Sequence, residues 1–396
     1  MTVARQAGLS QEELRRRNLG SLLTRVHLDG PTTRAALTSS LGLNRSTIGD
    51  LTGQLEQLGL VEERPPTVVR RSGRPSLEVV PRTDVGVIAV DLGVDRITVA
   101  LVLLGGEVAG RRDRVHQRGS HDVEHVVEAV VQMASDLRRE LPGVRCLSVG
   151  ASVPGAVRRE DGLVRFAPNL GWVDAPIVRL LGEALDLPVY AANDGDLGVL
   201  AEHLRGAARG FDDVAYLVGS VGIGGGFIVG GVPLRGASGY AGEVGHVVID
   251  PAGELCRCGG VGCWEMKVGE DRLLRAAGRL SGGGPPAVDE VVQASRRGEE
   301  AASEAVVDVA RWLGIGLRGV VNTFDPHVVV LGGALAQLWQ VAEPTVRTAL
   351  EDVTPVGHPD RLLVRPSQLG RDSALLGAAE LCFAEVLSDP GALASA

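Results

Sequence analysis

Three of the five cysteines crowd into one short stretch of the chain, at Cys256, Cys258 and Cys263, and His246 lies ten residues before the first of them. Three thiolates and one imidazole complete the tetrahedral coordination of a zinc ion and leave no open position for a substrate. Reduced core cysteines are the alternative, but such cysteines rarely cluster this closely in a glycine-rich loop. We therefore predict a structural Zn²⁺ and not a catalytic one.

Hydrogen-bonding side chains flank the cysteine motif. Glu243 comes three residues before His246, and Glu265 follows the last cysteine by two residues. Carboxylates and imidazole bind hydroxyl groups well, and a zinc-bound loop would hold them in fixed positions. These residues predict a site for a polyhydroxylated ligand, with solvated surface acids as the alternative.

Asn193 and Asp194 follow an apolar stretch that is predicted to be a strand. In open α/β sheets, ligands bind at the carboxyl ends of the strands. A carboxylate at this position can act as a general base toward a substrate hydroxyl or accept its hydrogen bond. An Asx turn that caps the next helix is the alternative interpretation.

Two glycine turns, Asp91 to Gly93 and Gly222 to Gly226, resemble loops that cradle phosphate, because glycine lets backbone N–H groups approach an anion. Neither turn carries the Lys-Ser/Thr pair of a Walker loop or a complete dinucleotide-binding motif. These turns alone are weak evidence for a nucleotide.

The elements that position these residues alternate between apolar strands and helices. The predicted strands span residues 85–90, 147–153, 189–192, 214–218 and 328–331, and a predicted helix spans residues 123–137. Such alternation is typical of an α/β architecture with mostly parallel sheets. Because a strand followed by a glycine turn occurs in two rounds, we expect two lobes around a cleft.

The first 82 residues follow a different pattern. Helical periodicity predicts helices at residues 19–29, 33–41 and 44–58, and strands at 60–62 and 77–80 flank the basic loop 70–75. Two helices joined by a tight turn at Gly42 and followed by a hairpin are typical of a winged helix-turn-helix. This segment carries 12 arginines against 8 acidic residues, whereas the remainder of the chain carries a charge of −13.

Composition excludes several classes of protein. A net charge of −9 argues against a polycation that coats nucleic acid or anionic lipid along its whole length. The longest apolar stretch, residues 97–106, is about half of what a membrane span requires, and the N-terminus lacks a secretory apolar region. We therefore expect a cytoplasmic protein without a membrane partner.

Taken together, the motifs resemble the ROK family, named for repressors, open reading frames and kinases. They occur in family order over residues 85 to about 380, and the cysteine motif preceded by Glu-x-Gly-His is the most specific. The motifs are Asp91-Leu-Gly93, Val153-Pro-Gly155, Asn169-Leu-Gly-Trp172, Asn193-Asp194, Gly222-Ile-Gly-Gly-Gly226, Glu243-Val-Gly-His246, the cysteines with Trp264-Glu265, and Leu331-Gly-Gly333. The resemblance implies a two-lobe actin-like, ribonuclease-H-like fold, a sugar in the cleft, and homodimers or tetramers.

The resemblance also implies the roles of individual residues. The sugar hydroxyls would be held by Asn193, Asp194, Glu243, His246 and Glu265, with Gly155 and Asn169 as second-ranked sugar contacts. The zinc ligands would be His246, Cys256, Cys258 and Cys263. Asp194 matches the catalytic base of the family's kinases.

The chain departs from the kinase pattern at both phosphate loops. Kinases of the family have Asp-x-Gly-Gly-Thr at the first loop, whereas here Val94 and Asp95 follow the glycine. In the second loop, Val221 replaces the threonine of Gly-Thr-Gly. Because phosphoryl transfer depends on electrostatic stabilisation of the phosphates, we expect no kinase activity and a vestigial role for Asp194.

The N-terminal segment implies binding to double-stranded operator DNA, whose sequence is expected to be palindromic. The residues expected to contact the major groove, on the third helix, are Asn44, Arg45, Ser46, Thr47 and Gln54. The wing residues expected in an A·T-rich minor groove are Arg71, Gly73 and Arg74. A winged helix that binds another protein is the alternative.

Three domains are therefore predicted. Residues 1–82 form the winged helix-turn-helix, residues 83–196 form the first lobe with a returning helix at about 370–390, and residues 197–369 form the second lobe with the zinc motif and an oligomerisation surface. The expected function is a sugar-responsive repressor of carbohydrate uptake or catabolism genes. The alternatives are an ATP-dependent sugar kinase of glucokinase or N-acetylhexosamine kinase type with an appended DNA-binding domain, and a winged-helix assembly factor.

Overall fold

The structure is a computed structural model that describes residues 10–66, 76–116, 118–119, 122–351 and 362–394. The predicted wing residues Arg71, Gly73 and Arg74 lie outside the described residues. Within the described ranges, no helix combines the length and the apolar composition that crossing a bilayer requires.

A unit of three helices and three short strands forms the N-terminal part of the chain. The helices are α1 (Gln11–Asp29), α2 (Arg34–Leu41) and α3 (Arg45–Gln57), and the strands are β1 (Thr32–Thr33), β2 (Val61–Arg64) and β3 (Glu78–Pro81). β3 pairs antiparallel with both β1 and β2. The sequence did not predict β1, because two threonines are too short a stretch to show a period.

The turns between these helices follow from their capping residues. The Thr33 side chain caps α2, and the Asn44 side chain accepts a hydrogen bond from the Thr47 N–H at the start of α3. Gly42 ends α2 in the left-handed conformation, which glycine adopts without steric cost. The inward faces of the helices share a core of buried side chains, Leu22, Leu23, Val26, Leu37, Ile48, Leu51 and Leu55.

Two five-stranded sheets form the framework of the rest of the chain. The first has the strand order β11-β7-β4-β5-β6 and the second has the order β14-β13-β12-β15-β16. The strands of the first sheet are β4 (Val85–Leu92), β5 (Arg96–Leu103), β6 (Val108–Val115), β7 (Arg145–Val153) and β11 (Val189–Asn193). Those of the second are β12 (Val214–Gly219), β13 (Ile223–Val229), β14 (Val232–Pro233), β15 (Val328–Gly332) and β16 (Leu363–Pro366). A small antiparallel sheet of β8 (Ala156–Val157), β9 (Val164–Ala167) and β10 (Trp172–Ala175) follows β7.

The prediction of mostly parallel sheets is wrong. In each large sheet the first three strands pair antiparallel, and only the two later strands add in parallel. Short turns join the first three strands, and a chain that reverses through a short turn pairs antiparallel, whereas a parallel pair needs a long crossover. Both sheets share one strand order, so the two predicted lobes have the same topology.

Helices cover and connect the sheets. They are α4 (Val123–Glu140), α5 (Ile177–Leu185), α6 (Asp194–Arg205), α7 (Glu265–Val268), α8 (Glu270–Ala276), α9 (Gly284–Arg296), α10 (Glu300–Phe324), α11 (Gly333–Glu351) and α12 (Ser373–Ser388). α12 packs on β4 and β7 of the first sheet and on α6. α6 also packs on β12 and β13 of the second sheet, so the predicted lobe boundary after residue 196 falls inside a helix that contacts both lobes.

Candidate functional site

The four predicted metal ligands converge in the second lobe. His246 ends a short 3₁₀ turn, Val244–His246, and the three cysteines come from the glycine-rich loop before α7. The ligand atoms of all four residues lie within 4.8 Å of one another. Cys256 Sγ is 3.7 Å from His246 Nδ1, and Cys258 Sγ is 3.6 Å from Cys263 Sγ.

These separations fit tetrahedral zinc. Zinc–sulfur bonds of about 2.3 Å and zinc–nitrogen bonds of about 2.05 Å put two sulfur ligands about 3.8 Å apart and a sulfur and a nitrogen ligand about 3.6 Å apart. The Gly260 N–H donates to Cys258 Sγ at 3.4 Å, and the Cys258 N–H donates to Cys256 Sγ at 3.5 Å. Both contacts favour thiolates, so the donor set suits a closed structural metal site.

Two carboxylates surround the imidazole of His246. Glu265 Oε1 lies 3.5 Å from His246 Nδ1, and Glu243 Oε2 lies 3.8 Å from His246 Nε2. The absence of a side chain at Gly222 makes room for Glu265, because a Cβ there would lie 2.0 Å from Glu265 Oε2. Three of the predicted sugar ligands therefore share one wall of the cleft.

Asn193 and Asp194 occupy the junction between β11 and α6. Asn193 Oδ1 accepts from the Gly195 N–H at 2.8 Å, and Asn193 Nδ2 donates to the Gly155 carbonyl at 3.0 Å. Asn193 thus caps α6, as the Asx-turn alternative anticipated, and it also brings the Gly155 motif to this junction. Asp194 is the first residue of α6 and lies half-buried at the cleft. We call Asn193, Asp194, Glu243, His246 and Glu265 the hydroxyl cluster.

Two carboxyl groups near this junction, those of Asp194 and Asp91, have raised pKa values. Burial raises the pKa of Asp194 to about 7, and the negative charge of Asp91 adds to the effect. Burial also raises the pKa of Asp91 to about 6. A carboxyl group that is partly protonated at neutral pH can donate a hydrogen bond to a ligand hydroxyl as well as accept one.

Asn169 approaches the zinc loop from the first lobe. Arg257 Nη1 donates to Asn169 Oδ1 at 2.8 Å, and Arg257 Nη2 lies 3.8 Å from Asp271 Oδ2. Arg257 stands between the first two cysteines, so this contact joins the lobes at the rim of the hydroxyl cluster. Sequence reasoning missed Arg257, because an arginine within a metal loop carries no signature of a partner 88 residues away.

An ion-paired triad crosses the cleft beside the first glycine turn. Arg118, from the first lobe, lies 3.2 Å from Asp95 and makes two contacts of 2.9 Å with the Glu270 carboxylate of the second lobe. Glu270 is 3% exposed and also accepts from the Gly284 N–H at 2.9 Å. We call Asp95, Arg118 and Glu270 the Arg118 triad. Sequence reasoning anticipated the charge of Asp95 but neither of its partners.

The start of α3 presents the predicted DNA-contacting residues to solvent. Asn44, Arg45 and Ser46 are exposed, and Thr47 is half-buried. The Ser46 hydroxyl donates to Asn44 Oδ1 at 2.7 Å, so the capping interaction also orders this end of the helix. The turn at Gly42 and the Asn44 cap thus leave the polar start of α3 exposed. Contact between this surface and DNA stays a prediction.

Gln54 differs from the other predicted DNA contacts. Its Oε1 accepts a hydrogen bond from Arg15 Nε of α1 at 3.1 Å, and its Nε2 donates to the Asp50 carbonyl at 3.0 Å. Both ends of the amide therefore have partners within the N-terminal unit, and a base contact by Gln54 would have to replace one of them.

Comparison with known proteins agrees with this architecture. The ROK family model matches residues 87–385. The putative xylose repressor of Caldicellulosiruptor sp. (strain Rt8B.4) is 30% identical over 383 residues, covering 93% of this chain and 95% of that protein. A ROK family transcriptional regulator, a homologue of the Escherichia coli MLC protein, superposes with a TM-score of 0.78 at 24% identity and covers 97% of this chain and 98% of its own. A ROK family glucokinase from Streptomyces griseus, in complex with glucose and AMPPNP, superposes with a TM-score of 0.65 at 28% identity and covers 75% of this chain and 98% of its own. The motifs, the paired five-stranded sheets and these matches together show that the chain belongs to the ROK family.

Proposed function

We propose that this chain is a sugar-responsive transcriptional repressor that binds a monosaccharide between its lobes and operator DNA through its N-terminal unit. The observation that carries the proposal is the difference between the two ends of the cleft. At one end lie the side chains of the hydroxyl cluster, including a carboxyl group whose pKa is raised to about 7, next to the four candidate metal ligands. At the other end, Asp95 of the Arg118 triad lies two residues after Gly93, the last residue of the first glycine turn.

The Arg118 triad supports a sensor over a kinase. A kinase needs donors and cations at the phosphates of ATP, because electrostatic stabilisation is most of what it contributes to phosphoryl transfer. Here the guanidinium of Arg118 is already neutralised by two carboxylates, Asp95 and Glu270. Val94 and Val221 supply no hydroxyl donor at the two turns.

The proposed DNA-binding surface is the start of α3 together with the wing. The Caldicellulosiruptor relative, which carries the name putative xylose repressor, aligns over 93% of this chain, so the alignment extends into the N-terminal unit. We assign base contacts in the major groove to Asn44, Arg45, Ser46 and Thr47, and minor-groove contacts to Arg71, Gly73 and Arg74. Palindromic operators would follow from a two-fold symmetric homodimer or tetramer.

The segment of residues 247–263, which contains the three cysteines, offers a surface for self-association. Four aliphatic side chains on it are between 44% and 71% exposed: Val247, Val248, Leu255 and Val261. Exposed aliphatic side chains that form a patch mark interaction sites on proteins in water. Closure of the lobes around a sugar would then change the spacing of two α3 helices across the oligomer.

The metal in this proposal is Zn²⁺, held by His246, Cys256, Cys258 and Cys263. Its role is structural: the bound ion would fix the His246 ring, leaving Nε2 to face the cleft. Glu265 begins α7 two residues after Cys263, so the same loop orients its carboxylate. The ion thereby links the order of the loop to the geometry of the hydroxyl cluster.

A thermal-shift screen of zinc-loaded protein tests the proposal. D-xylose, D-glucose and N-acetyl-D-glucosamine would each be added with and without Mg-ATP, since a ligand of the native state raises the melting temperature. We expect one sugar to stabilise the protein and Mg-ATP to add nothing. Glu243→Gln should abolish the shift, whereas Glu254→Gln, an exposed acid in the same loop that pairs with Arg275, should retain it.

The alternative of a sugar kinase rests on Asp194, which retains the position of the kinase base. A coupled assay with the stabilising sugar and Mg-ATP decides between the two. Turnover at about 1 to 100 per second, the usual range for kinases, would overturn the sensor. No stabilisation by any sugar together with no salt-dependent binding to DNA would favour the assembly-factor alternative.

A further inference from the structure

Helix α6 connects the hydroxyl cluster to the N-terminal unit. It is twelve residues long, beginning with Asp194 in the cleft and ending with Arg205. At 1.5 Å per residue the helix spans about 18 Å. Arg205 lies at its far end against α1, the first helix of the N-terminal unit.

Arg205 belongs to a buried polar cluster with one member in each of three helices. His27 on α1 is 0% exposed and Glu380 on α12 is 3% exposed. His27 Nε2 lies 3.0 Å from Glu380 Oε2, and Arg205 Nε donates to Glu380 Oε1. We call Arg205, His27 and Glu380 the α1–α6–α12 cluster.

Backbone groups complete the hydrogen bonding of this cluster. The Gly105 N–H donates to His27 Nδ1 at 2.9 Å, and Arg205 Nη1 donates to the Gly105 carbonyl at 3.0 Å. His27 Nδ1 thus accepts from Gly105, and His27 Nε2 lies between the Glu380 carboxylate and Arg205 Nη2, which is 2.7 Å away. Burial alone would raise the pKa of Glu380, but hydrogen bonding to His27 and the positive charge of Arg205 hold it below its usual value.

Two other ion pairs join the same surfaces but lie in solvent. Arg16 pairs with Asp389, and Arg209 pairs with Asp29. The arginine side chains of these pairs are 52% and 56% exposed, so water can replace their partners at little cost. The α1–α6–α12 cluster has no such substitute, because a displaced partner would leave a charge buried without compensation. The cluster therefore favours one docking geometry of α1.

Helix α6 is also packed tightly enough to move as a unit. A Cβ on Gly377 of α12 would lie 2.0 Å from the Leu197 carbonyl of α6, so the two helices touch through their backbones. At the cleft end, a Cβ on Gly195 would lie 2.5 Å from the Gly225 carbonyl of β13. Close packing of this kind transmits a displacement at one end of the helix to the other.

We propose that α6 couples sugar binding to operator binding. A shift of Asp194 on sugar binding moves Arg205, and this movement breaks or re-forms the hydrogen bonds of the α1–α6–α12 cluster. The orientation of α1 changes as a result. The inference rests on the proposed function for its ligands. It assigns Arg205 a positioning role, without contact to sugar or DNA.

Hydrogen exchange on the zinc-loaded full-length protein tests the link without any ligand. Arg205→Met should speed exchange at least about tenfold in residues 22–29 of α1 and also in residues 193–199 at the cleft end of α6. The matched control Arg209→Met, which removes an exposed ion pair in the turn just after α6, should leave residues 193–199 unchanged. Faster exchange confined to α1 in Arg205→Met would overturn the proposal.

A second arm uses whichever of D-xylose, D-glucose and N-acetyl-D-glucosamine raises the melting temperature. That sugar should change exchange in both segments of the wild type, but only in residues 193–199 of Arg205→Met and of the conservative variant Glu380→Gln. A change in α1 that persists in both variants would overturn the link. If none of the sugars binds, the proposed function fails, while the ligand-free arm still decides whether α6 couples the two ends.

Discussion

The stability of the fold should depend on pH through Asp194. Burial and the charge of Asp91 raise its pKa to about 7, whereas an aspartate in an unfolded chain titrates near about 3.9. The unfolded state therefore releases this proton first as the pH rises. The carboxyl of Asp194 costs stability progressively between about pH 4 and pH 7, and the full cost is present above pH 7.

The size of the effect follows from the shift. About three pKa units at about 1.36 kcal/mol each give a cost of about 4 kcal/mol above pH 7, of which about 2 kcal/mol is already present at pH 5.5. Asparagine has the shape of aspartic acid and does not ionise. Asp194→Asn should therefore stabilise the protein by about 2 kcal/mol more at pH 8.5 than at pH 5.5.

Urea unfolding of zinc-saturated protein at the two pH values measures this difference. All four tryptophans lie in the lobes, so their fluorescence reports the part of the chain that contains Asp194. Asp289→Asn is the control, because Asp289 is exposed on α9 and water hydrates it in both states. An equal gain for Asp194→Asn at both pH values would show that the carboxylate is ionised and solvated in the folded protein, and the reasoning would be refuted.

Three further results are expected. Cys258→Ser should lower the zinc content, measured by mass spectrometry, from one ion per chain towards none. It should also abolish the sugar-induced thermal shift. A zinc-free protein with a normal thermal shift would contradict the proposed dependence of sugar binding on the metal. Gly150→Ala should destabilise the protein by about 1 to 3 kcal/mol, because a Cβ there would lie 2.1 Å from the Ala378 carbonyl of α12. The control Gly143→Ala should change the melting temperature little, because no atom lies within 4 Å of a Cβ at that position. Equal effects of the two substitutions would refute the close packing of α12. Arg74→Ala should weaken operator binding and reduce the salt slope of log K by about 1, and unchanged binding would remove the wing from the interface.

Short-range chemistry was predictable from the sequence. The spacing of Cys256, Cys258 and Cys263 allows three sulfur atoms to meet within one loop, and the structure brings them and His246 together as expected. The Asn44 cap and the Gly42 turn were likewise predictable, because each depends on neighbours within a few residues. The strands at 85–90 and 214–218 were found, but their direction relative to their neighbours was not, since an apolar run has the same composition in a parallel and an antiparallel sheet.

The sequence by itself determined the family motifs and which four side chains could serve as metal ligands, and it places valines, which carry no hydroxyl, at positions 94 and 221. Tertiary structure alone decided which distant charges meet. Arg118 reaches Glu270 across 152 residues, and His27 meets Glu380 across 353 residues. The physical reason is that a metal loop or a helix cap needs only residues close in the sequence, whereas a contact between residues far apart in the sequence depends on how the sheets and helices pack. The proposed path from sugar to DNA therefore became visible only in the fold.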